Sequence, residues 1–262
     1  MKGNLLSASA FLLFLVLLTG AAEANQKAYI ETGELANQTM VDYNLHGFEA
    51  LKPVLQEEYG IDLYMSSNGY NVTGESLNDS VSNTITDLNR IQPTIMIEFS
   101  KGGMVGTAAL NSMPQTSVKL VILLDAALGG VPMKADSAIG LDPTSRAAFD
   151  MNQGSPFMQK VWIDKKRFTI WQFHSGYADW ANNLALFGGY NEIIPTIDGV
   201  NLIVFDDATH QDLVINIAIV RQELDHVFGC RCAKLPEVVE TENTAGTNLS
   251  KSSFGRDVLT SH

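Results

Sequence analysis

Residues 95–103 read Ile95-Met96-Ile97-Glu98-Phe99-Ser100-Lys101-Gly102-Gly103. A short apolar run passes directly into a serine, a lysine and two glycines. Small and apolar residues then continue to about Ser112. The pattern predicts a strand over 94–99, a sharp turn, and a helix from Lys101 to about Ser112. A serine on such a turn lifts its hydroxyl above the sheet, and the N–H of the next residue can face a developing oxyanion. A residue without Cβ at Gly102 lets the turn close, and the helix start adds positive potential. The plainer reading of Ser100 is an ordinary helix N-cap. The strand–Ser–x–Gly–Gly–helix context favours a nucleophile.

The same alternation continues on both sides. Lys27–Thr32 and Ile61–Met65 read as strands. Between them Leu45, Phe48, Leu51, Leu55 and Tyr59 recur at helical spacing, so 42–59 is an amphipathic helix. Val81, Ile85, Leu88 and Ile91 mark a second helix before the serine turn. Val118–Leu124 is almost wholly apolar, as a strand buried on both faces must be. Arg167–Phe173 and Val200–Phe205 are further strands. Leu213, Ile217, Val220, Leu224 and Phe228 mark a last helix. The expected fold class is therefore α/β, a mostly parallel sheet flanked by helices. Residues 133–165 interrupt the alternation and read as a cap insertion. Phe149, Phe157, Met158 and Trp162 there either line a pocket or bury the insertion's own small core.

The ends of the chain read differently. Residues 1–24 are expected to be a signal peptide. Lys2 supplies the positive start, Ala10–Leu18 the apolar centre, and Ala22-Glu23-Ala24 the cleavage pattern before Asn25. The apolar run is too short for a stable membrane span in the mature chain. The expected localisation is secreted or periplasmic. The body then covers 25–232, and 233–262 reads as a disordered tail. The two cysteines, Cys230 and Cys232, are too closely spaced for a relaxed disulfide and form no metal cluster by themselves. A net charge of -12 without any basic run argues against nucleic acid as a partner.

The Ser100-Lys101-Gly102-Gly103 turn resembles that of the α/β-hydrolase family, in which Gly-x-Ser-x-Gly is usual. Asn191–Pro195, Thr209-His210 and Gly154–Phe157 resemble further parts of lipase-like members, so the likeness extends over most of 27–228. Glu98 departs from the pattern. It stands at the first glycine position, where its side chain must either alter the turn or project toward the pocket. The family order is Ser, then an acid, then His. The resemblance implies His210 as the base, in the loop between the last strand and the last helix. It implies Asp179 as the acid, in the loop after the strand at 167–173, with Asp125 at the end of the strand at 118–124 as the rival. Asp206 and Asp207 read as solvated turn residues, and His174 precedes any good acid. For the oxyanion, the implied donors are the Lys101 N–H and a loop at Gly33, with Glu34 or Leu35 giving the second N–H. His46-Gly47 is set aside because it falls inside the amphipathic helix. The family's first two strands have no counterpart here, which makes a short N-terminal sheet.

The resemblance implies hydrolysis of a small-molecule or lipid carboxylic ester through an acyl-enzyme, with neither a metal nor a cofactor required. The alternative, prompted by Glu98, is a non-catalytic relative that keeps the fold for binding. Oligomeric state is not readable from the sequence.

Overall fold

The computed structural model describes residues 25–32, 38–68, 76–132, 144–176 and 190–229, with side chains left out at 38–47, 190 and 191. Six strands carry the chain: β1 (Gln26–Glu31), β2 (Ile61–Met65), β3 (Ile95–Phe99), β4 (Leu120–Leu124), β5 (Thr169–Ser175) and β6 (Asn201–Phe205). Seven described helices connect or follow them: α1 (Gln38–Tyr59), α2 (Leu77–Ile91), α3 (Gly102–Ser112), α4 (Arg146–Met151), α5 (Tyr190–Ile193), α6 (Asp212–Ile215) and α7 (Ile217–Phe228). The strands form one sheet in the order β2-β1-β3-β4-β5-β6, and every neighbouring pair is parallel. A parallel sheet needs crossover helices on its faces, which is why β3 and β4 carry apolar side chains on both sides.

Strand alternation assigns the faces. Ile30, Ile97, Ile122, Leu124 and Phe173 pack against Leu51 and Leu55 of α1 and against Val220 and Leu224 of α7. Tyr29, Met96, Val121, Leu123 and Ile170 pack on the other face, against Leu88 of α2 and Leu110 of α3. The chain runs outward from β1 to β2 and then crosses back over β1 to β3. The order therefore reverses between β1 and β3, and at such a point the carboxyl ends of the strands open into a crevice. Ser100 stands there.

Of the segment expected as a cap at 133–165, the residues from Thr144 on are described. Phe157 is buried with Ala147, Ala148 and Met151 against α2 and α3, while Phe149 and Trp162 face solvent. Of the four side chains singled out, Phe157 serves the packing role, with Met158 half-buried against the same cluster. Asp150 ties this segment to the head of α2 by accepting from Ser76 Oγ (2.9 Å) and Leu77 N (3.0 Å).

The last helix expected from 213 to 228 is broken. Asn216 ends α6 in an extended conformation and caps α7, its side chain accepting from Ala218 N at 3.1 Å. An Asn216→Ala variant is expected to lose about 1 kcal/mol of unfolding free energy, read from urea denaturation. An unchanged midpoint would show that the cap is dispensable. Among the described residues no helix is long and apolar enough to cross a membrane. The expected signal peptide (1–24), the whole of the tail expected at 233–262, and both cysteines lie outside the described residues.

Candidate active site

The serine turn has the geometry that the sequence implies. Ser100 has a φ of 55°, in the left-handed region that a side chain enters only under tight constraint. Its N–H donates to Leu124 O (3.1 Å), and its carbonyl accepts from Gly103 N (3.0 Å) and Ala127 N (2.9 Å). The turn is thereby tied to the end of β4 and to the start of α3 at once. The two glycines are required by contact. A Cβ on Gly102 would lie 2.2 Å from Glu31 O, and one on Gly103 would lie 2.6 Å from Ala126 Cβ. The head of α3 is pressed against the end of β1 and against the segment that follows β4.

His210 sits beside this turn. The imidazole of His210 lies 4.5 Å, centroid to centroid, from the ring of Phe99, the residue before Ser100. Its loop is braced by Asp212, which accepts from Thr209 N (2.8 Å) and Thr209 Oγ1 (2.7 Å). Burial acts to raise the Asp212 carboxyl, but these two donors and Asn216 outweigh it and hold it below the usual range. Asp206 and Asp207 are exposed, as expected of turn residues.

The carboxylate placed on His210 is Asp125. His210 Nδ1 donates to Asp125 Oδ2 at 2.9 Å, with both residues buried. Asp125 is also in the left-handed region, at a φ of 42°, and its N–H donates to Phe173 O (3.0 Å). Ser175 completes the clamp: its N–H donates to Asp125 Oδ1 (3.0 Å) and its hydroxyl to Oδ2 (2.5 Å). An ionised carboxylate only accepts, so the proton of a neutral imidazole is held at Nδ1 and Nε2 keeps its lone pair. Asp179 lies outside the described residues, and of the two acids weighed from the sequence it is Asp125 that meets the imidazole. Ser175 was not singled out, because nothing in a strand-end serine announces that it will clamp a neighbouring strand's acid.

The remaining expectations fall variously. His174 is buried on β5 near Asp125; burial lowers its pKa, and the Asp125 charge opposes that shift. His226 is exposed on α7. Lys101 is buried at the head of α3. Gly33 and Glu34 lie outside the described residues. Glu98 neither breaks the turn nor disrupts its packing. Its side chain passes beneath α3 into space left by Gly106, whose Cβ would lie 2.7 Å from Glu98 Oε1. Among the described residues, no three His, Cys, Asp or Glu side chains gather to hold a metal ion.

No protein-family model matches the sequence, and no curated protein matches it. Solved structures do. A metagenomic carboxyl esterase aligns with a TM-score of 0.53 at 13% identity, over 72% of this chain and 65% of that one. The ydeN gene product of B. subtilis aligns with a TM-score of 0.50 at 17% identity, over 78% of this chain and all of that one (100%). This is the α/β-hydrolase fold. Within that α/β-hydrolase fold, the bend after β3, the acid after β4 and the histidine after β6 converge from three separate strand ends. Only the folded sheet brings them together.

Proposed function

We propose that the protein is a serine hydrolase that cleaves carboxylic esters through an acyl-enzyme. Ser100 is the nucleophile, His210 the general base, and Asp125 the residue that orients His210 and stabilises its imidazolium form. The Lys101 N–H is one oxyanion donor, and the loop at Gly33–Glu34 supplies the other. The observation that carries this reading is the 2.9 Å bond from His210 Nδ1 to Asp125 at the edge of the serine turn. A serine that only capped a helix would have no use for an imidazole fixed in one tautomer. The solved structures of like fold include one named as a carboxyl esterase, which agrees with the substrate class proposed.

The reaction follows from the geometry. Nε2 of His210 takes the Ser100 proton as Oγ attacks the ester carbonyl. The developing oxyanion is met by N–H groups at the head of α3, where the helix dipole adds positive potential. His210 then protonates the leaving alcohol, and water repeats the sequence to free the acid. We further propose that Ala24–Asn25 is the cleavage site of an exported chain, supported by Lys2, the apolar Ala10–Leu18 and Ala22-Glu23-Ala24. Amino-terminal sequencing of the secreted or periplasmic protein checks this, with Asn25 as the expected first residue.

A fluorophosphonate probe tests the active serine. Labelling is expected for the wild-type protein and abolished in Ser100→Ala. In His210→Ala it is expected to fall at least about a thousandfold, as loss of a triad member does. Hydrolysis of short and long aryl esters then defines the acyl preference. A folded wild-type protein that never labels would support the non-catalytic binding alternative.

A further inference from the structure

Glu98 and Glu31 are register partners on the neighbouring parallel strands β3 and β1, so their side chains leave the sheet side by side on the same face. Both are buried. Their surroundings differ. Glu31 is met by Ser66 Oγ and Asn68 Nδ2 at Oε1 (both 3.1 Å), and by Thr84 Oγ1 (2.7 Å) and Tyr29 OH (3.1 Å) at Oε2. Glu98 is met by Thr107 Oγ1 at Oε2 (2.8 Å), and its Oε1 is buried with no partner among the described residues. Two adjacent buried carboxyls cannot both be charged, and the donors gather on Glu31.

We infer that Glu98 is held as a neutral carboxylic acid beneath the serine turn, and that its proton keeps the head of α3 and Ser100 in working position. The inference rests on the hydrolase reading for its effect on catalysis, but not for the proton itself. The groups around the pair support it. On β1, Tyr29 is kept neutral because burial pushes its phenol far up. On α2, Asp87 accepts from Arg90 (2.8 Å) toward the surface. On β4, the residue beside Glu98 is Leu123, and on α3 the contacts are Thr107 and Gly106. Burial raises the Glu98 carboxyl well above the usual range; the Thr107 hydrogen bond opposes this, and the charge of Glu31 adds to it. Burial raises Glu31 as well, opposed by its donors Thr84, Asn68, Ser66 and Tyr29.

The coupling to the serine is short. The Glu98 carboxyl sits against the α3 backbone at Gly106 and bonds Thr107, little more than one turn beyond the Ser100–Gly103 bend. An anion there would have one hydrogen bond and no counter-charge, so the helix must yield or admit water. Glu98 is thus a positioning residue. Its folded-state pKa lies above its unfolded value, so its support is complete at low pH and is lost as pH rises through the raised folded value.

The test is a pH profile of the fluorophosphonate labelling rate, joined to unfolding temperature and to the infrared carbonyl band of a protonated carboxyl, both measured in Ser100→Ala. The wild-type rate is expected to fall about tenfold per unit above an alkaline limit. Glu98→Gln is expected to retain the neutral-pH rate within about threefold, to lose that limb, and to weaken the band, whose remainder belongs to Glu223, a second buried carboxyl raised well above the usual range. The unfolding temperature is expected to fall with rising pH in Ser100→Ala, and less steeply once Glu98→Gln is added. Glu31→Gln removes the neighbouring charge, so the alkaline limit moves to lower pH; this serves if Glu98→Gln fails to fold. A band unaffected by Glu98→Gln, or an alkaline limb unmoved by either variant, overturns the inference. A protein that never labels but keeps the band and the unfolding slope overturns the hydrolase reading and leaves Glu98 protonated.

Discussion

An Asp125→Asn variant is expected to fold normally and to lose about four orders of magnitude in the rate of Ser100 acylation. Ser175 explains why the loss is so large. Its N–H donates to Asp125 Oδ1, the oxygen that does not face His210, and a backbone N–H cannot accept, so an asparagine here is obliged to keep its carbonyl oxygen at that position. The amide NH2 then faces His210. Nδ1 must accept from it, the ring proton moves to Nε2, and the base has no lone pair left for the serine hydroxyl. The imidazolium formed during attack also loses its counter-charge. Four orders of magnitude correspond to roughly 5.5 kcal/mol of transition-state stabilisation. Ser175→Ala leaves the carboxylate in place and loosens it, so a loss of about tenfold is expected, the low end for a supporting hydrogen bond. Asp179→Asn is the control and is expected to leave the rate within about twofold, because Asp125 already supplies the carboxylate on His210. Second-order labelling rates and ester hydrolysis measure all three. A large loss in Asp179→Asn with none in Asp125→Asn would make Asp125 a clamp between strand ends and nothing more.

The choice between the two acids marks where sequence reading stops. Strand β3, the bend at Ser100 and helix α3 are local: an apolar run, a Ser-Lys-Gly-Gly and small residues dictate each through backbone sterics. The place of His210 is nearly local, since it needs only the end of one strand and the start of one helix. Which carboxylate meets the imidazole is not local. Asp125 and Asp179 each follow a strand by a short distance, and the turn-rich loop and the spacing to His210 favour Asp179. What separates them is that Asp125 ends β4, next to β3, and is bent back at a φ of 42° with Ser175 of β5 holding it. Glu98 teaches the same lesson in reverse. At its own position it reads as an obstacle to the turn. The space that accepts it comes from Gly106, on the far side of the bend, and the donor that meets it from Thr107. The break at Asn216 was missed because Leu213, Ile217, Val220 and Leu224 keep one helical rhythm through it. Periodicity records which face is buried and is blind to a one-residue cap.

Gly102→Ala is expected to produce a large stability loss from a single added methyl. The new Cβ would stand 2.2 Å from Glu31 O, 2.7 Å from Glu31 C and 2.9 Å from Thr32 O. All three atoms are backbone, so no side chain can swing aside; either α3 moves off the sheet or the end of β1 moves outward, by about 1 Å to restore ordinary contact. Such overpacking costs about 3 kcal/mol. At roughly 2–4 °C per kcal/mol for a chain of this size, the unfolding temperature is expected to fall by about 6–12 °C. The same displacement separates the Lys101 N–H from the loop that leaves β1 at Thr32, the two sides from which the oxyanion is to be held. A misplacement of this size costs about a hundredfold in rate. The loss should therefore appear in the acylation rate well below the unfolding temperature, where the variant is still folded. Gly154→Ala is the matched control, because its nearest neighbour is Asn152 Oδ1 at 3.6 Å, an ordinary contact. Thermal unfolding and labelling rates of both variants decide the matter. A Gly102→Ala protein as stable as Gly154→Ala would mean that α3 does not press on β1. One that is less stable but labels at the wild-type rate would place the second oxyanion donor away from the end of β1, since only a donor carried by that strand shares its displacement.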